Sequence, residues 1–515
     1  MASWLLRAKS IRRGLINMQL RNLLQTIPTL KIEGSLEREV VGITYDSRRV
    51  TPGMVFVAIP GLNTDGHEYI NTAIDRGAAA VICQTNGFIS NRATKVKVTD
   101  SRAALARAAA EFYQNPSRKL MMIGVTGTNG KTTVAFMVKA MLEEAGIKAG
   151  LISTIHYELG ERVIPSHRTT PEALDIQHML AQMIRTGCTA CVMEVSSHAL
   201  EQKRVEGIEF DVCLFTNLSQ DHLDYHGTMD EYFQAKKKLF EAIKVGKSGP
   251  SCVINIDDGF GEQLAASTMP EIQLSYGITK PARLRATHLK LAREHTEFVA
   301  EYNNQNLPFS LNLIGRHNVY NALAAIGAGI ALDIDPKKIQ KALKELESVP
   351  GRLQRISQGQ PFEVFVDYAH TEEALRNTLG TLREFQPRRL LLIFGCGGSR
   401  DTGKRKAMGE AAAEMADFSW ITNDNPRRED PVKIAANIRE GFEAKGKETF
   451  EVELDRRSAI EIAIREAKPG DIVLIAGKGH ETYQEFEDTV IPFDDRVFAR
   501  EALEYVGYPI KNDED

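Results

Sequence analysis

No stretch of this 515-residue chain approaches the roughly 20 consecutive apolar residues that a membrane-spanning helix needs, so a helical membrane anchor is not expected. A strong charge of either sign is also missing. The chain carries 64 Lys and Arg against 68 Asp and Glu, a net charge of −4, which argues against a general nucleic-acid or membrane-surface binder. Cysteine is scarce: six residues, at 83, 188, 191, 213, 252 and 396. Cys188 and Cys191 form a CxxC, but no second pair completes a zinc site. Their surroundings read as a buried strand on which the two thiols would diverge, so both are expected to be buried apolar cysteines, and the thiol usage fits a reducing cytoplasm. Internal repeats and low-complexity tracts are lacking. Residues 1–17 lack any acid while carrying Arg7, Lys9, Arg12 and Arg13. Their apolar runs are too short and interrupted for a secretory signal. They read as a loose basic tail, or as an upstream start with Met18 as the true beginning.

What the chain does have is a phosphate-loop pattern. The apolar run Leu120 to Ile123 leads into Gly124-Val-Thr-Gly-Thr-Asn-Gly-Lys-Thr-Thr133, and a helix-like segment follows. Strand, Gly-rich turn and helix together aim backbone N–H groups at a phosphate chain. Lys131 would reach the terminal phosphates and the Thr132 hydroxyl would ligate magnesium. The usual pattern has a glycine five residues before Gly130, where this chain has Val125.

The composition, 43% hydrophobic and 26% charged, is that of a soluble globular protein, and the length suggests about three domains. The first block, 1–118, ends at the turn-like Gln114 to Ser117 and holds strands Val55 to Ile59 and Ala79 to Cys83 and a helix Ala103 to Tyr113. The second, 119–347, alternates strands Met121 to Val125, Ala190 to Val195, Val212 to Thr216 and Ser251 to Ile256 with helices such as Pro171 to Arg185 and Met229 to Ile243. That alternation argues a parallel sheet covered on both faces. Residues 274–312 look like an antiparallel appendage. The third block, 348–515, has strands Glu363 to Val366, Leu390 to Phe394, Phe418 to Thr422 and Asp471 to Ala476. The expected fold class is therefore α/β in three domains: a smaller N-terminal α/β domain, a central P-loop domain with a doubly wound, mostly parallel sheet, and a C-terminal Rossmann-like domain. In such sheets ligands sit beyond the carboxyl ends of the strands, where the chain places the 124–133 loop, Glu194, Asn217, Asp367, Gly395 to Arg400, Asp424 to Arg427 and Gly477 to Glu481.

Several of these carry chemistry. Glu194 ends an apolar strand of the P-loop block, where a carboxylate can hold magnesium against phosphates. Asn217 to His226 is dense in Asp and His, which suggests a metal or a polar catalytic wall, with a hydrogen-bonded loop as the alternative. Lys236, Lys237 and Lys238 lie on a helix with apolar Tyr232, Phe233, Leu239 and Phe240, and taken alone read as a solvated basic face. Arg400 and Arg427, each in a strand-end turn of the third block, suit a ligand bearing carboxylates, because a guanidinium fork matches two carboxylate oxygens. Two structural ion pairs are the alternative.

Together these segments resemble the Mur ligases, ATP-dependent amide-bond enzymes of peptidoglycan precursor synthesis. The shared marks are Gly124 to Thr133, Glu194 to His198, Asn217 to His222, Gly315 to Asn321, Pro350 to Arg352 and Asp367 to His370, over nearly everything from 40 to 496. Within the family, Asp46 to Arg48, Thr169 to Pro171, Gly397 to Arg400, Asp424 to Arg427 and Gly477 to Glu481 are similar to the branch that adds meso-diaminopimelate. The resemblance implies residue roles. Gly127, Thr128, Asn129, Gly130, Lys131, Thr132 and Thr133 would hold ATP, with Asn318, Arg352 and Asp367 contacting the nucleotide from across a domain gap. Thr132, Glu194, His222 and Lys236, the last as a carbamate, would bind Mg2+, and Lys131, Glu194, His222 and Lys236 would be catalytic. Ser47, Thr169, Thr170, Ser196, Gln202 and Arg204 would bind the UDP-muramoyl dipeptide. Arg400, Asp424, Asn425, Pro426, Arg427, Gly477 and Glu481 would bind diaminopimelate, whose second carboxylate lysine lacks.

The implied reaction transfers the ATP γ-phosphoryl group to the D-glutamate γ-carboxylate, and the diaminopimelate amine then displaces phosphate. The acyl phosphate must be kept from water, so closure of the third block with a hinge near 345–350 is expected. Small-molecule partners, no nucleic acid, no membrane, a monomer and a cytoplasmic location are expected. The rival readings are a lysine-adding ligase, a folylpolyglutamate-type ligase, and a nucleotide switch that ligates nothing.

Overall fold

The structure is a computed structural model that describes residues 18–61, 64–85, 91–241, 243, 251–269, 273–399 and 402–509. The tail 1–17 and Arg400 lie outside the described residues. Two compact units form, Met1–Arg285 with Ala322–Ile339, and Ala286–Asn321 with Gln340–Asp515. The α/β class expected from the alternating pattern is what both units show.

Among the described residues the first unit contains two larger sheets and the short antiparallel pair Met18–Gln19 with Glu39–Val40. Its N-terminal sheet runs Thr29–Glu33, Thr94–Val98, Ala80–Cys83, Met54–Val57, Gly42–Thr44 in spatial order, parallel except at the Thr29–Glu33 edge. Ala80–Cys83 is buried at every position, because apolar cores lie on both faces: Val55, Ile82 and Leu105 on one, Phe56, Val81 and Ile74 on the other. Alternate strand residues point to opposite faces, so a strand covered twice must be apolar throughout. Helix Ser101–Phe112 starts where the Asp100 carboxylate accepts from Ala103 N at 2.9 Å. This N-terminal part is tied to the remainder of the first unit by Tyr45 OH donating to Asp175 (3.0 Å) and by the ion pairs Arg107–Glu206 and Lys203–Asp100.

In the larger sheet, Met121–Thr126 lies between Ala190–Glu194 and Val212–Phe215, parallel to both. Glu194 pairs with Val125, and Phe215 with Thr126. The register thus brings the ends of three strands side by side. Parallel pairing continues through Ser251–Asn255 and Gln273–Gly277 into the start of Leu284–Leu291. The expectation of an antiparallel appendage over 274–312 is corrected here. Gln273–Gly277 joins the parallel sheet, and Thr296–Tyr302 pairs antiparallel with Gln305–Leu311 in the second unit. The hydrophobic pattern of a short strand inside a parallel sheet and that of a hairpin strand differ too little for sequence to separate them.

The six cysteines are free and buried. Cys188 precedes the strand Ala190–Glu194, so strand alternation does not separate it from Cys191 as expected. Both thiols pack into one core with Met122 and Leu180.

The second unit is doubly wound. Its sheet runs Gln354–Arg355, Glu363–Asp367, Ile472–Ala476, Leu390–Phe394, Phe418–Ile421, Phe450–Val452, parallel beyond the first strand. Along Leu390–Phe394 the side chains alternate between two cores. Leu390, Leu392 and Phe394 meet Leu375, Met408 and Ile434, while Leu391 and Ile393 meet Ile460 and Leu503. At one end of the sheet the Arg456 guanidinium is fully buried, forked onto Asp495 at 2.7 Å through both Nε and Nη2. It also donates to the Ala476 carbonyl at 2.9 Å. Asp495→Ala leaves that cation buried and unpaired, and a loss of about 3–5 kcal/mol is expected in urea unfolding of the second unit. A loss below about 1 kcal/mol would show that the pair does not hold the helices Arg456–Glu466 and Asp495–Tyr505 to the sheet.

Candidate active site

The P-loop follows the central strand Met121–Thr126 and opens helix Lys131–Glu144. It is braced from the neighbouring strand end. Thr128 N donates to Asn217 O and Asn129 N to Asn217 Oδ1, both at 2.9 Å, and Thr216 Oγ1 donates to Asn129 O at 2.6 Å. Gly127 has φ +148°, and a Cβ there would stand 1.8 Å from Thr216 Oγ1. Only glycine fits against that brace. The Lys131 ammonium folds back onto its own loop, donating to the carbonyls of Gly127 (2.9 Å) and Thr128 (2.8 Å).

Lys236 reaches the same place. Its Nζ donates to Gly127 O at 2.7 Å and lies 4.6 Å from the Tyr232 ring centroid. The side chain is buried, and that burial, followed by the Lys131 charge, holds its ammonium well below the ordinary lysine range. The reading of the lysine run as a solvated face therefore holds for Lys238 and fails for Lys236. Its position, four residues after Tyr232 and three before Leu239, puts it on the buried stripe of helix Met229–Glu241.

Glu194 is fully buried. Its Oε2 accepts from Thr132 Oγ1 (3.0 Å) and Thr154 Oγ1 (3.1 Å), and its Oε1 from Thr154 N (2.8 Å). Thr170 Oγ1 donates to Glu194 O at 2.8 Å and accepts from Ser196 N at 3.0 Å. Thr169 is reached through Thr154, Oγ1 to Oγ1 at 3.0 Å. Arg204 closes the cluster, donating to Thr170 O (3.0 Å) and Gln202 Oε1 (2.6 Å). Ser47 is buried on a separate turn, Ser47–Arg49, whose start is capped by Asp46. His222, at φ +54°, pairs with Asp221 (3.4 Å) and packs edge-on against His198. Burial pushes its imidazole pKa down against the pull of Asp221, helped by Lys131 and Lys236. His198 is pushed down to about 4, by burial and then by the neighbouring His222, His226 and Arg204. Among the described residues no group of three His, Cys, Asp or Glu side chains is gathered as for a metal ion. The Thr132–Glu194 oxygens are what this cluster offers a hard cation.

The second unit assembles its own cluster at the carboxyl ends of its strands. Asp367 accepts from Leu353 N (2.7 Å), Ala369 N (3.0 Å) and Thr378 Oγ1 (3.1 Å). Arg352 stacks on Tyr368, 4.7 Å from the ring centroid, and Asn318 Nδ2 donates to Ile314 O at 2.8 Å. Asn425 Nδ2 donates to Glu481 Oε2 at 2.9 Å. The wholly buried Lys478 donates to Asn425 Oδ1 (3.1 Å) and Glu481 Oε2 (3.0 Å) and pairs with Asp424 at 3.7 Å. Gly477 N donates to Asp367 O at 3.1 Å. A Cβ on Gly398 would stand 1.9 Å from Pro426 O, so the 395–399 loop can lie against the Asp424 to Arg427 turn only as glycine. Arg427 donates from Nε to Glu485 Oε2 and from Nη1 to Gly398 O, both at 2.9 Å.

Family models match three stretches of the chain: 39–113 (Mur ligase family, catalytic domain), 125–329 (Mur ligase middle domain) and 351–479 (Mur ligase, glutamate ligase domain). The chain belongs to the Mur ligase family. It is accordingly an ATP-dependent ligase. Among curated relatives it is similar to the UDP-N-acetylmuramoyl-L-alanyl-D-glutamate–2,6-diaminopimelate ligases of Syntrophomonas wolfei, at 46% identity over 93% of this chain and 99% of the relative, and Solibacter usitatus, at 45% over 92% and 95%. A solved structure of a ligase with the same name superposes with a TM-score of 0.68 at 31% identity, covering 95% of this chain and 99% of that one.

Sequence reasoning about this Mur ligase passed over Thr154, Tyr368, Lys478, Glu485 and the pair Arg405–Glu429. Thr154 had a signal, a polar residue just beyond the apolar strand Ala149–Ile152. Lys478 lay inside a stretch already singled out. Arg405 and Glu429 had none. Arg405 is fully buried and forks onto Glu429 (2.6 and 2.7 Å), while Glu429 also accepts from Ser399 N at 3.0 Å. The pair pins the 395–399 loop to the segment after Arg427.

Two outcomes are expected. Gly127→Ala should weaken ATP binding at least tenfold, about 1.4 kcal/mol, in a protein that still folds. Unchanged ATP affinity by calorimetry would show that the loop can shift. Arg405, then Ser399 N, holds Glu429 at about 2 against the ordinary 4.5. A depressed carboxylate gives stability above its unfolded pKa and loses it on acidification. Between pH 4.5 and 2 the melting temperature of wild type should therefore fall more steeply than that of Glu429→Gln. Parallel curves would refute the pairing.

Proposed function

We propose that this Mur ligase joins meso-2,6-diaminopimelate to UDP-MurNAc-L-Ala-D-Glu with conversion of ATP to ADP and phosphate. The observation that carries the reading is the second unit's cluster. It sets a half-buried guanidinium, Arg427, on the same turn as the buried Asp424 and Asn425, with Glu481 bonded to Asn425. A guanidinium fork selects a carboxylate, and paired carboxylates select an ammonium group. A diamino diacid offers both at each end. The names of the relatives support the same substrate.

In this reading the N–H groups of Gly127 to Thr133 cradle the ATP phosphates, and Lys131 turns from its own loop carbonyls to the γ-phosphate. Asn318, Arg352 and Asp367 contact the nucleotide. Ser47, Thr169, Thr170, Ser196, Gln202 and Arg204 hold the UDP-dipeptide with its D-glutamate γ-carboxylate toward the phosphate. An oxygen of that carboxylate takes the γ-phosphoryl group as the bond to ADP breaks. The amine of diaminopimelate then forms the C–N bond, phosphate leaves with the C–O electron pair, and the amine gives up a proton. Diaminopimelate is held by Arg427, Asp424, Asn425, Pro426, Gly477, Glu481 and Arg400, the last outside the described residues.

Lys236 has a distinct part. An amine held neutral by burial is nucleophilic toward CO2, and the carbamate it forms is an anion. With Thr132, Glu194 and His222 it would hold Mg2+, which when bound neutralises charge on the phosphates. The oxygens of Thr132 and Glu194 fit that ion in type. Three blocks, 1–118, 119–347 and 348–515, acting as a monomer in the cytoplasm complete the proposal.

The test is a purified assay with ATP and UDP-MurNAc-L-Ala-D-Glu, comparing meso-diaminopimelate and L-lysine as acceptors. Diaminopimelate should be the better acceptor, and Arg427→Ala should cost it about 100-fold in kcat/KM. A preference for L-lysine would overturn the assignment, and ADP release without any acceptor would favour a nucleotide switch. Lys236→Ala should lower ligation by at least about 100-fold, and CO2-depleted buffer should lower wild-type activity reversibly. Full activity in Lys236→Ala would remove the carbamate from the scheme.

A further inference from the structure

Arg427 is held by two partners, Glu485 and Gly398. A guanidinium carries five N–H donors. Here Nε points at the Glu485 carboxylate and one Nη1 hydrogen at the Gly398 carbonyl, both at 2.9 Å. The two bonds lie on opposite flanks of the group and fix its plane, and among the described residues Nη2 makes no hydrogen bond, so the Nη2 end remains for a carboxylate. The guanidinium lies over Gly397, where a Cβ would come within 3.1 Å of Nη1. The main chain is fixed from the same element. Arg427 sits at φ +54°, a conformation a non-glycine residue adopts only when neighbours enforce it. Arg427 N donates to Glu485 O at 2.9 Å and Glu487 N to Arg427 O at 2.6 Å. Glu485 is itself placed by its N–H on Asn425 Oδ1 at 3.1 Å. The adjacent Arg428 supplies the contrast. It pairs with Asp488 at 2.7 Å with both side chains largely exposed, the kind of surface pair worth little.

We infer that Glu485, on the strand Tyr483–Phe486, is a positioning residue that fixes the plane of Arg427 and so sets how strongly the enzyme prefers an amino acid with a second carboxylate. The inference rests on the proposed diaminopimelate reading and deepens it. A free guanidinium on a four-bond stem would have to be ordered by the substrate at an entropic cost. Glu485 meets that cost before binding. Because its carboxylate takes Nε, it does not compete for the Nη2 end. An acceptor without a distal carboxylate, such as L-lysine, gains nothing from this ordering.

The test uses the full chain with Glu485→Ala and Glu485→Gln, both checked for wild-type melting temperature, and both acceptors. For Glu485→Ala, kcat/KM with meso-diaminopimelate should fall about tenfold, through KM, while the value with L-lysine stays within about twofold. Glu485→Gln keeps an acceptor for Nε and should recover to within about threefold of wild type. An unchanged diaminopimelate KM in Glu485→Ala overturns the inference. So do equal losses with the two acceptors, which mark a role in hairpin integrity alone. If wild type prefers diaminopimelate and Glu485→Ala does not respond, only this inference falls. If wild type prefers L-lysine, the assignment of the reaction falls first.

Discussion

One carbonyl oxygen receives two ammonium groups. Lys131 and Lys236, more than a hundred residues apart in the chain, both donate to Gly127 O. Two like charges in one low-dielectric place repel strongly, so the arrangement persists only with one of them driven toward its neutral form, and Lys236 is the one so driven. The other parts of the first unit's site are arranged around this point. The loop that presents Gly127 is braced by Asn217 and Thr216 from one neighbouring strand end, and Glu194 stands at the end of the other. Such a concentration of positive charge and N–H groups suits an anionic phosphate chain.

The second unit solves a related problem with alternating signs. The buried Asp424 and Lys478 and the half-buried Glu481 form a run of acid, base and acid, and Arg427 with Glu485 adds a further pair. Each charge has a protein partner, so none is buried alone. The loops that carry them are short, glycine-rich at close approaches and locked by Arg405–Glu429. Precise placement of a few charges on rigid strand ends is how a ligase can tell a diacid from a monoacid that differs at one terminus.

Much of this was legible in the chain. The P-loop, Glu194 at a strand end, the Asp424 to Arg427 turn and the alternation of strands and helices all rest on local pattern: period, turn chemistry and motif spacing. What failed did so for identifiable reasons. A lysine on a helix reads as solvated unless its heptad position is weighed, and Lys236 falls on the buried stripe. The strand Gln273–Gly277 is too short for its pattern to declare parallel pairing. Arg405 and Glu429 resemble surface charges, and only the fold makes one a buried fork on the other.

The sequence by itself determined the α/β class, the phosphate loop and the membership in the Mur ligases, because backbone geometry at glycine turns and apolar periodicity act over a few residues. The tertiary structure alone decided which charges meet. Lys236 on Gly127, Lys478 between Asp424 and Glu481, and Glu485 behind Arg427 join residues from separate strand ends, or a strand end and a helix. Electrostatic energy depends on the distances and burial that strand order and register create, and neither is written in any one segment of the chain.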